Sequence, residues 1–319
     1  MAVYTKVRSE EIDAFLTRFD AGSLVSAKGI AEGVENSNYL IETTQDRFIL
    51  TLYEKRVDPG DLPFFIAMLD HLAEKGCPVP PMIADRDGIK IQQLNGRYAC
   101  LIKFLPGISL TVPTAAQAEA TGRALGNMHD ALQDFNAERP NSMNHDTWRT
   151  LAVDCGPLEL DNIAPGLHDL VEAELGFLDT HWPDDLPKSV IHADLFPDNV
   201  LMLDDHVTGL IDFYFSCTDV RAYDVAITHA AWCFSEDGVQ FNPAISNALI
   251  GGYSEAFNLS DTERAALPVL ARAAALRFLL TRAYDWINTP ADAMVTRKDP
   301  TAFLNRLKFY QANPDIFKA

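Results

Sequence analysis

Four polar side chains between residues 189 and 212 have the types and spacing needed for chemistry on phosphate groups. Asp194 follows His192 by two residues, Asn199 follows Asp194 by five, and Asp212 comes thirteen residues after Asn199. Phosphoryl transfer needs a carboxylate beside the acceptor hydroxyl and oxygen ligands for a Mg²⁺ ion that bridges the phosphates. We therefore predict that Asp194 orients and deprotonates a hydroxyl, and that Asn199 and Asp212 bind the metal. The alternative is a polar β-hairpin with a capped turn.

Apolar segments on either side of these residues predict the strands that position them. Val190 and Ile191 precede the loop, the sequence VLML follows it at residues 200–203, and VTGLID at 207–212 ends on the last aspartate. Short apolar runs separated by polar turns predict a strand, a loop, a second strand, a tight turn and a third strand. Polar residues at the strand ends favour the catalytic interpretation over the capped turn.

The His-x-Asp-x₄-Asn motif, followed by Ile-Asp-Phe at residues 211–213, resembles the aminoglycoside phosphotransferase and choline kinase superfamily. Within it, three segments resemble bacterial homoserine kinases: residues 29–43, 48–56 and 211–227. The resemblance extends over nearly the whole chain. It implies an α+β fold of the bilobal protein-kinase type, ATP as phosphate donor, Mg²⁺ as cofactor, and L-homoserine as acceptor in threonine biosynthesis.

Two alternatives to this function stay open at this point. The first keeps the kinase chemistry but changes the acceptor to an aminoglycoside, choline, a methylthiosugar or another amino alcohol. The second is a catalytically inactive nucleotide-binding module. It is favoured by Thr51, which stands where many relatives carry a phosphate-binding lysine, with Arg47 or Lys55 as possible substitutes. The presence of the full catalytic motif argues against this second alternative.

The glycine-containing hairpin near residues 29–38 is the predicted phosphate-binding loop. Gly33 would let the backbone approach phosphates, and Asn36, Ser37 and Asn38 would donate hydrogen bonds to them. An ordinary hairpin uses the same residue types for its turn geometry.

The apolar pattern changes from period 2 to helical spacing beyond Gly107, which predicts two lobes. Residues 1–105 form the predicted nucleotide-binding lobe, mainly β, and residues 106–319 the mainly helical lobe for catalysis and acceptor binding. For the hinge between them, the resemblance implies that the C=O of Lys103 and the N–H of Leu105 bind adenine; the alternative is a plain linker strand.

Three arginines occur in an apolar helical run near the C-terminus: Arg272, Arg277 and Arg282. Surface salt bridges are the usual explanation for such residues. An amino-acid acceptor, however, needs a cation for its carboxylate, and the guanidinium group binds carboxylates in a bidentate manner. We predict that Arg277 or Arg282 has that role.

Three further polar residues have predicted structural roles. His129 lies in a predicted helix, where a hydrogen-bonded core histidine is the commoner case. The resemblance implies that His192 shapes the catalytic loop and that Asp224 stabilises it, and Asp219 could act similarly.

The net charge of the chain excludes several classes of protein. The 319 residues carry 26 Lys and Arg against 45 Asp and Glu, a formal net charge of −19 at pH 7. A surface this acidic repels phosphate backbones and anionic lipids, so we expect no nucleic-acid or membrane partner. Hydrophobic content of 48% is typical of a globular protein, and no apolar run reaches the length of a membrane span.

The cysteines and the N-terminal segment predict a cytoplasmic location. Five cysteines are widely spaced, with no C-x-x-C or zinc-ligand pattern, which predicts buried reduced thiols. The first residues, MAVYTKVRSEEIDAFL, are charged throughout and lack the apolar core of a signal peptide.

Overall fold

The computed structural model describes residues 5–30, 36–54, 58–289 and 297–318. In its N-terminal part an antiparallel sheet has the strand order β1-β2-β3-β6-β4, with β5 pairing to β6. The strands are Leu24–Ile30 (β1), Ser37–Thr43 (β2), Arg47–Leu52 (β3), Met82–Ile83 (β4), Gln92–Leu94 (β5) and Arg97–Lys103 (β6). Two helices accompany this sheet: Ser9–Leu16 (α1) and Leu62–Glu74 (α2).

Alternation of side chains along the strands gives this sheet two different faces. Tyr39, Ile41 and Leu50 are buried in one apolar cluster with α1. Cys100 and Ile102 of β6 belong to the other cluster, which contains α2 and continues into the helical part of the chain. The sheet is therefore closed on one side by its own helix, and its other side belongs to the main core.

The C-terminal part is mainly helical. Its helices are Ala115–Ala131 (α3), His145–Cys155 (α4), Pro157–Ile163 (α5), Leu167–His181 (α6), Arg221–Trp232 (α7), Pro243–Ala256 (α8), Asp261–Asn288 (α9) and Thr301–Ala312 (α10). Capping boxes at Thr114 and Ser260 form the starts of α3 and α9. The long helix α9 is central, because it packs against α4, α7 and α10.

Two small sheets carry the segment that contains the predicted catalytic residues. Ile108–Ser109 (β7), Val200–Leu203 (β9) and His206–Leu210 (β10) form one sheet, and Lys188–Ile191 (β8) pairs with Cys217–Val220 (β11) in the other. The predicted order of strand, loop, strand, turn and strand is confirmed. Strand β7 is the first strand after the N-terminal sheet and pairs with β9. The connection between the two parts of the chain is therefore hydrogen-bonded to the catalytic hairpin.

The mixed α+β class is confirmed by this arrangement of a sheet followed by helices. Strand β6 ends at Lys103 and α3 begins at Ala115; a lobe boundary after residue 105 stays a prediction. The five cysteines are free thiols, four of them buried, as expected. None of the described helices combines the length and the hydropathy required to cross a membrane.

Helices α3 and α8 approach each other closely through glycines. A Cβ atom at Gly252 of α8 would lie 2.0 Å from the backbone oxygen of Glu119 in α3, so a side chain cannot be accommodated without moving a helix. The neighbouring Gly251 would place its Cβ in open space.

We predict opposite effects for alanine at these adjacent positions. Gly252→Ala should lower the free energy of unfolding by at least about 2 kcal/mol, because overpacking forces the helices apart. Gly251→Ala should raise it by about 0.5–1 kcal/mol through helix propensity. Urea unfolding of both variants measures the difference, and similar values for the two would contradict the close helix contact.

Candidate active site

His192 fixes the shape of the loop between β8 and β9. Its Nε2–H donates to the C=O of Ile211 at 3.0 Å, and its Nδ1 accepts from the N–H of Asp194 at 3.3 Å. Burial lowers its pKa, which favours the neutral ring that this pairing requires. The imidazole thus connects the catalytic loop to the strand end that precedes Asp212. The predicted shaping role of His192 is confirmed.

The three residues predicted to act on phosphate groups are brought together by backbone and side-chain hydrogen bonds. The Nδ2 of Asn199 donates to the C=O of Asp194 at 2.8 Å and contacts its carboxylate at 3.3 Å. The N–H of Ile211 donates to the C=O of Asn199 at 3.0 Å, which places the next residue, Asp212, beside that amide. Asp212 itself has left-handed backbone angles, φ 65° and ψ 59°.

The environment of Asp194 makes a negative charge on its carboxyl group costly. Burial raises the pKa of Asp194 to about 8; the guanidinium of Arg277 opposes this effect, and the carboxylates of Asp212 and Asp198 add to it. Repulsion between these carboxylates is the condition that a bound cation relieves. The electrostatics of the loop therefore suit a site that contains a positive ion.

Asp224, in the first turn of α7, stabilises the same loop through hydrogen bonds to its backbone. Its carboxylate accepts hydrogen bonds from the backbone N–H groups of His192 at 2.7 Å and Ala193 at 2.8 Å. Burial alone would raise the pKa of Asp224, but its interactions with His129 and His192 lower it. His129 is buried between Asp224 at 3.1 Å and the hydroxyl of Tyr253 at 2.8 Å. The predicted structural roles of Asp224 and His129 are confirmed.

The C-terminal arginines occupy different environments. Arg272 forms two hydrogen bonds of 2.7 Å to the carboxylate of Glu174, whose side chain is 1% exposed. Arg277 is only 2% exposed and donates from Nη1 to the C=O of Ala193 at 2.6 Å. The expected salt bridge is present for Arg272, although its carboxylate partner is buried, and the expectation is wrong for Arg277, because tertiary packing buries this helix on several sides.

Arg282, near the end of α9, is partly exposed on the same side as the catalytic loop. Its guanidinium lies over the ring of Phe303 at 4.5 Å, and its Nη1 is 3.4 Å from the C=O of Asp299. Burial lowers its pKa to about 10, and the carboxylates of Asp194 and Asp198 act in the opposite direction. Arg282 therefore lies within the electrostatic field of the catalytic loop.

Polar residues of the predicted phosphate loop make hydrogen bonds within the protein. The Oδ1 of Asn36 accepts from the N–H of Glu54 at 3.3 Å, and the Ser37 hydroxyl donates to the Glu54 carboxylate at 2.8 Å. The Oδ1 of Asn38 accepts from the hydroxyl of Thr51 at 2.8 Å, so Thr51 supports the loop side chain in place of a lysine. Phosphate binding by these residues stays a prediction. Gly33 and Lys55 lie outside the described residues.

Arg47, the other suggested replacement for the lysine, lies at the opposite end of β3 from the phosphate loop. Leu52 at the far end pairs with Ser37, whereas Arg47 stacks on Phe104 at 4.4 Å, next to the hinge. Its position does not support a contact with phosphates. Helix α2 has no acidic residue in its first turn that could pair with a lysine on β3.

The predicted hinge packs on the catalytic hairpin. The N–H of Lys103 donates to the C=O of Pro81 at 3.0 Å. The side chain of Leu105 lies against Gly209 of β10, where an added Cβ would come within 2.8 Å of it. Adenine binding by the C=O of Lys103 and the N–H of Leu105 stays a prediction, and the packing shows that hinge and catalytic hairpin are in direct contact.

Arg139 is a connecting residue that the sequence analysis missed. Its Nε lies 2.7 Å from the carboxylate of Asp61, the residue before α2, and its Nη1 donates to the C=O of Ser216 at 2.9 Å. These partners are 78 and 77 residues away in the sequence. A single arginine in a polar loop carries no local pattern, so only the folded chain reveals that it joins α2 to the segment after Asp212.

The chemistry of the predicted metal ligands fits Mg²⁺. Because the Nδ2 of Asn199 is engaged with Asp194, a metal would be held through its Oδ1 and the carboxylate of Asp212. Across the described residues, no three or more His, Cys, Asp or Glu side chains converge on a metal position. One amide and one carboxylate suffice for an ion that usually completes its shell with water and substrate phosphates.

A family model described as "Phosphotransferase enzyme family" matches residues 26–267. This chain belongs to the phosphotransferase enzyme family. Homoserine kinase of Zymomonas mobilis subsp. mobilis is 55% identical over 98% of this chain and 97% of its own length. Homoserine kinase of Xanthobacter autotrophicus is 51% identical over 98% and 97%. These relatives confirm the resemblance, and the protein is a small-molecule kinase with ATP as its phosphate donor.

A solved structure of amicoumacin kinase hAmiN in complex with AMP-PNP, Ca²⁺ and Ami has a TM-score of 0.70 to this chain. The two sequences are 12% identical, and the match covers 96% of this chain and 94% of the other. At that identity the similarity concerns the fold alone. It confirms the kinase-like fold that the motif predicted.

We predict that the Asp224 carboxylate is needed for both the stability and the activity of the kinase. Asp224→Asn replaces one acceptor oxygen by an amide that faces a backbone N–H. The free energy of unfolding should fall by about 3 kcal/mol, and the rate of phosphoryl transfer should fall at least about tenfold.

The matched control is Asp219→Asn, because Asp219 accepts from Asn141 at 2.6 Å and from its neighbour Val220, outside the catalytic loop. That variant should lose no more than about 1 kcal/mol. Urea unfolding and steady-state rates distinguish the two. Equal stability and activity of Asp224→Asn and wild type would show that the loop does not depend on this carboxylate.

Proposed function

We propose that this protein transfers the γ-phosphoryl group of ATP to the side-chain hydroxyl of L-homoserine, giving O-phospho-L-homoserine and ADP. The observation that carries the proposal is 51–55% identity to two homoserine kinases over nearly the full length of each chain. The arrangement of Asp194, Asn199 and Asp212 supplies the groups that this chemistry needs. A role in threonine biosynthesis and a cytoplasmic location belong to the same proposal.

Asp194 is the proposed catalytic residue. Its loop is held by His192, Asn199 and Asp224, so its carboxylate has a defined position beside the predicted metal ligands. From that position it orients the acceptor hydroxyl for in-line attack and accepts its proton. Phosphoryl transfer has a loose transition state and requires little base strength, so positioning is its larger contribution.

Asn199 and Asp212 are the proposed Mg²⁺ ligands. When bound, the ion neutralises charge on the β- and γ-phosphates of ATP. The hydrogen bond from Ile211 to Asn199 keeps the two ligands on adjacent strand ends. Asn199 also contacts the Asp194 carboxylate, so the amide connects the metal position to the position of the acceptor.

The nucleotide is proposed to lie between the N-terminal sheet and this hairpin. Adenine would contact the C=O of Lys103 and the N–H of Leu105. The proposed phosphate contacts are Gly33 and the backbone around Asn36, Ser37 and Asn38. Support comes from the packing of Leu105 against Gly209 of β10. Because β10 leads to the proposed metal ligand Asp212, the hinge is in contact with the metal-binding hairpin.

Arg282 is the proposed anchor for the carboxylate of L-homoserine. Of the two predicted arginines it is the partly exposed one, whereas Arg277 is buried and bonded to the loop backbone. No carboxylate in the described part of the chain forms an ion pair with Arg282, so its guanidinium is available to a ligand carboxylate. A fork of N–H groups matches that ligand in a bidentate manner.

The reaction is tested by ADP release with Mg-ATP and a panel of acceptors: L-homoserine, D-homoserine, L-serine, choline, methylthioribose and kanamycin. Strong turnover is expected with L-homoserine alone, with loss of activity on adding EDTA and recovery with excess Mg²⁺. Asp194→Asn should lower turnover at least about a hundredfold. The control Asp205→Asn, at the exposed turn of the same hairpin, should leave it unchanged.

Preference for another acceptor in this panel would exclude L-homoserine as the substrate while keeping the kinase chemistry. Near-full turnover by a pure preparation of Asp194→Asn would remove the catalytic role of Asp194.

The carboxylate anchor is tested by comparing L-homoserine with L-homoserinol, in which the carboxylate is replaced by a hydroxymethyl group. Arg282→Met should raise the KM for L-homoserine at least about tenfold, because a charge-assisted pair is lost. It should change the KM for L-homoserinol little, since that acceptor has no carboxylate. Lys308→Met, on the exposed face of α10, is the control and should behave as wild type. Equal losses with both acceptors would exclude carboxylate recognition by Arg282.

A further inference from the structure

Ala193, between His192 and Asp194 of the catalytic motif, has an unusual backbone conformation. Its φ is +63°, in the left-handed region that residues with a Cβ atom rarely adopt. Its side chain is 1% exposed and lies directly before Asp194. The direction of the Asp194 side chain therefore depends on keeping Ala193 in a conformation that its own sterics disfavour.

Charged side chains hold this residue at both of its backbone polar groups. The carboxylate of Asp224 accepts from the N–H of Ala193 at 2.8 Å. On the opposite side, the guanidinium of Arg277 donates to the C=O of Ala193 at 2.6 Å. Charge-assisted hydrogen bonds are stronger than neutral ones, and the two together fix the orientation of the peptide groups on either side of Ala193.

We propose that Arg277 is a positioning residue for phosphoryl transfer, which holds the Ala193 peptide in its left-handed conformation and thereby aims Asp194 at the acceptor hydroxyl. This inference rests on the proposed function, because it assigns Arg277 to the same reaction. It gives Arg277 a task different from the substrate-carboxylate role that the sequence suggested for it.

The surroundings of Arg277 fit such a task. It lies in the middle of the long helix α9, between the rings of Phe278 at 4.6 Å and Phe215 at 5.6 Å. Among the described residues no carboxylate forms an ion pair with it, and its buried Nε has no hydrogen-bond partner. The Tyr223 side chain also interacts with Arg277, and a buried guanidinium without a carboxylate partner is costly to the fold. Its clearest contact is the one to the catalytic loop.

Burial also separates the roles of the two arginines. Arg277 is 2% exposed, so a substrate carboxylate has little access to its guanidinium. Arg282 is partly exposed and therefore more accessible to a ligand. Loss of Arg277 should therefore affect the rate of the chemical step, and loss of Arg282 the binding of the acceptor.

The experiment measures kcat and KM of Arg277→Gln, Ala193→Gly and the double variant Ala193→Gly/Arg277→Gln. Arg277→Gln should lower kcat at least about tenfold. It should change the KM for ATP and the KM for L-homoserine by no more than about twofold each. Glycine adopts positive φ without steric cost, so Ala193→Gly should make the loop less dependent on Arg277. The double variant should regain at least about threefold in kcat over Arg277→Gln.

Arg272→Gln is the matched control on the same helix, because Arg272 binds Glu174 and not the loop. It should lower the unfolding midpoint while kcat stays within about twofold of wild type. If Arg277→Gln does not fold, Arg277→Met replaces it in both the single and the double variant, since methionine keeps a long apolar side chain and removes the donor.

An unchanged kcat in folded Arg277→Gln or Arg277→Met, or a fall in kcat without any recovery by Ala193→Gly, would overturn the positioning role. A rise in KM for L-homoserine alone would overturn it in favour of acceptor binding. The wild-type protein in the same assay distinguishes failure of this inference from failure of the proposed function. If the wild-type protein does not phosphorylate L-homoserine, the proposed function is wrong.

Discussion

The buried carboxylate of Asp224 is the interaction on which the active site depends. It lies at the start of α7 and accepts from two successive N–H groups of the catalytic loop, at 2.7 and 2.8 Å, while His129 supports it from α3. An ionised group removed from water is stable only when its oxygens are well paired. The loop therefore completes the solvation of Asp224, and Asp224 in turn gives the loop one conformation. Helices α3 and α7 are in this way part of the catalytic apparatus.

An acidic protein that binds an anionic nucleotide must arrange its charges locally. The net charge of −19 is spread over the surface, whereas the region around Asp194 is surrounded by the cations Arg277, Arg282 and Lys298. Lys298 lies 3.5 Å from Asp198 and 5.7 Å from the centre of the Phe196 ring. Cation–π contacts with aromatic rings offset part of the desolvation of these cations. Such a local distribution suits an acceptor that bears both an ammonium and a carboxylate group.

Much of the fold and of the catalytic hairpin could be predicted from the sequence, because the signals are local. Capping boxes define the starts of α3 and α9, and the spacing of His192, Asp194, Asn199 and Asp212 is read within 21 positions of the chain. Contacts between distant segments could not be predicted in this way. The bond from Arg277 to Ala193 joins residues 84 apart, and the bond from Arg139 to Asp61 joins residues 78 apart. Neither arginine differs in local pattern from an arginine on the surface.

The backbone conformation of the site explains why those distant contacts are required. Four described residues other than glycine have positive φ: Asn95, Ala193, Asp204 and Asp212. Asn95 and Asp204 lie in hairpin turns, where Asn and Asp adopt this conformation readily. Ala193 has no side-chain oxygen to stabilise it, and it directly precedes the proposed catalytic carboxylate. A conformation that local sequence disfavours persists only when the surrounding structure determines it. For Ala193 that structure is the pair of buried charges on α7 and α9. The helical part of the fold therefore does more than bury the site. It stabilises a conformation of the catalytic loop that the loop sequence by itself disfavours.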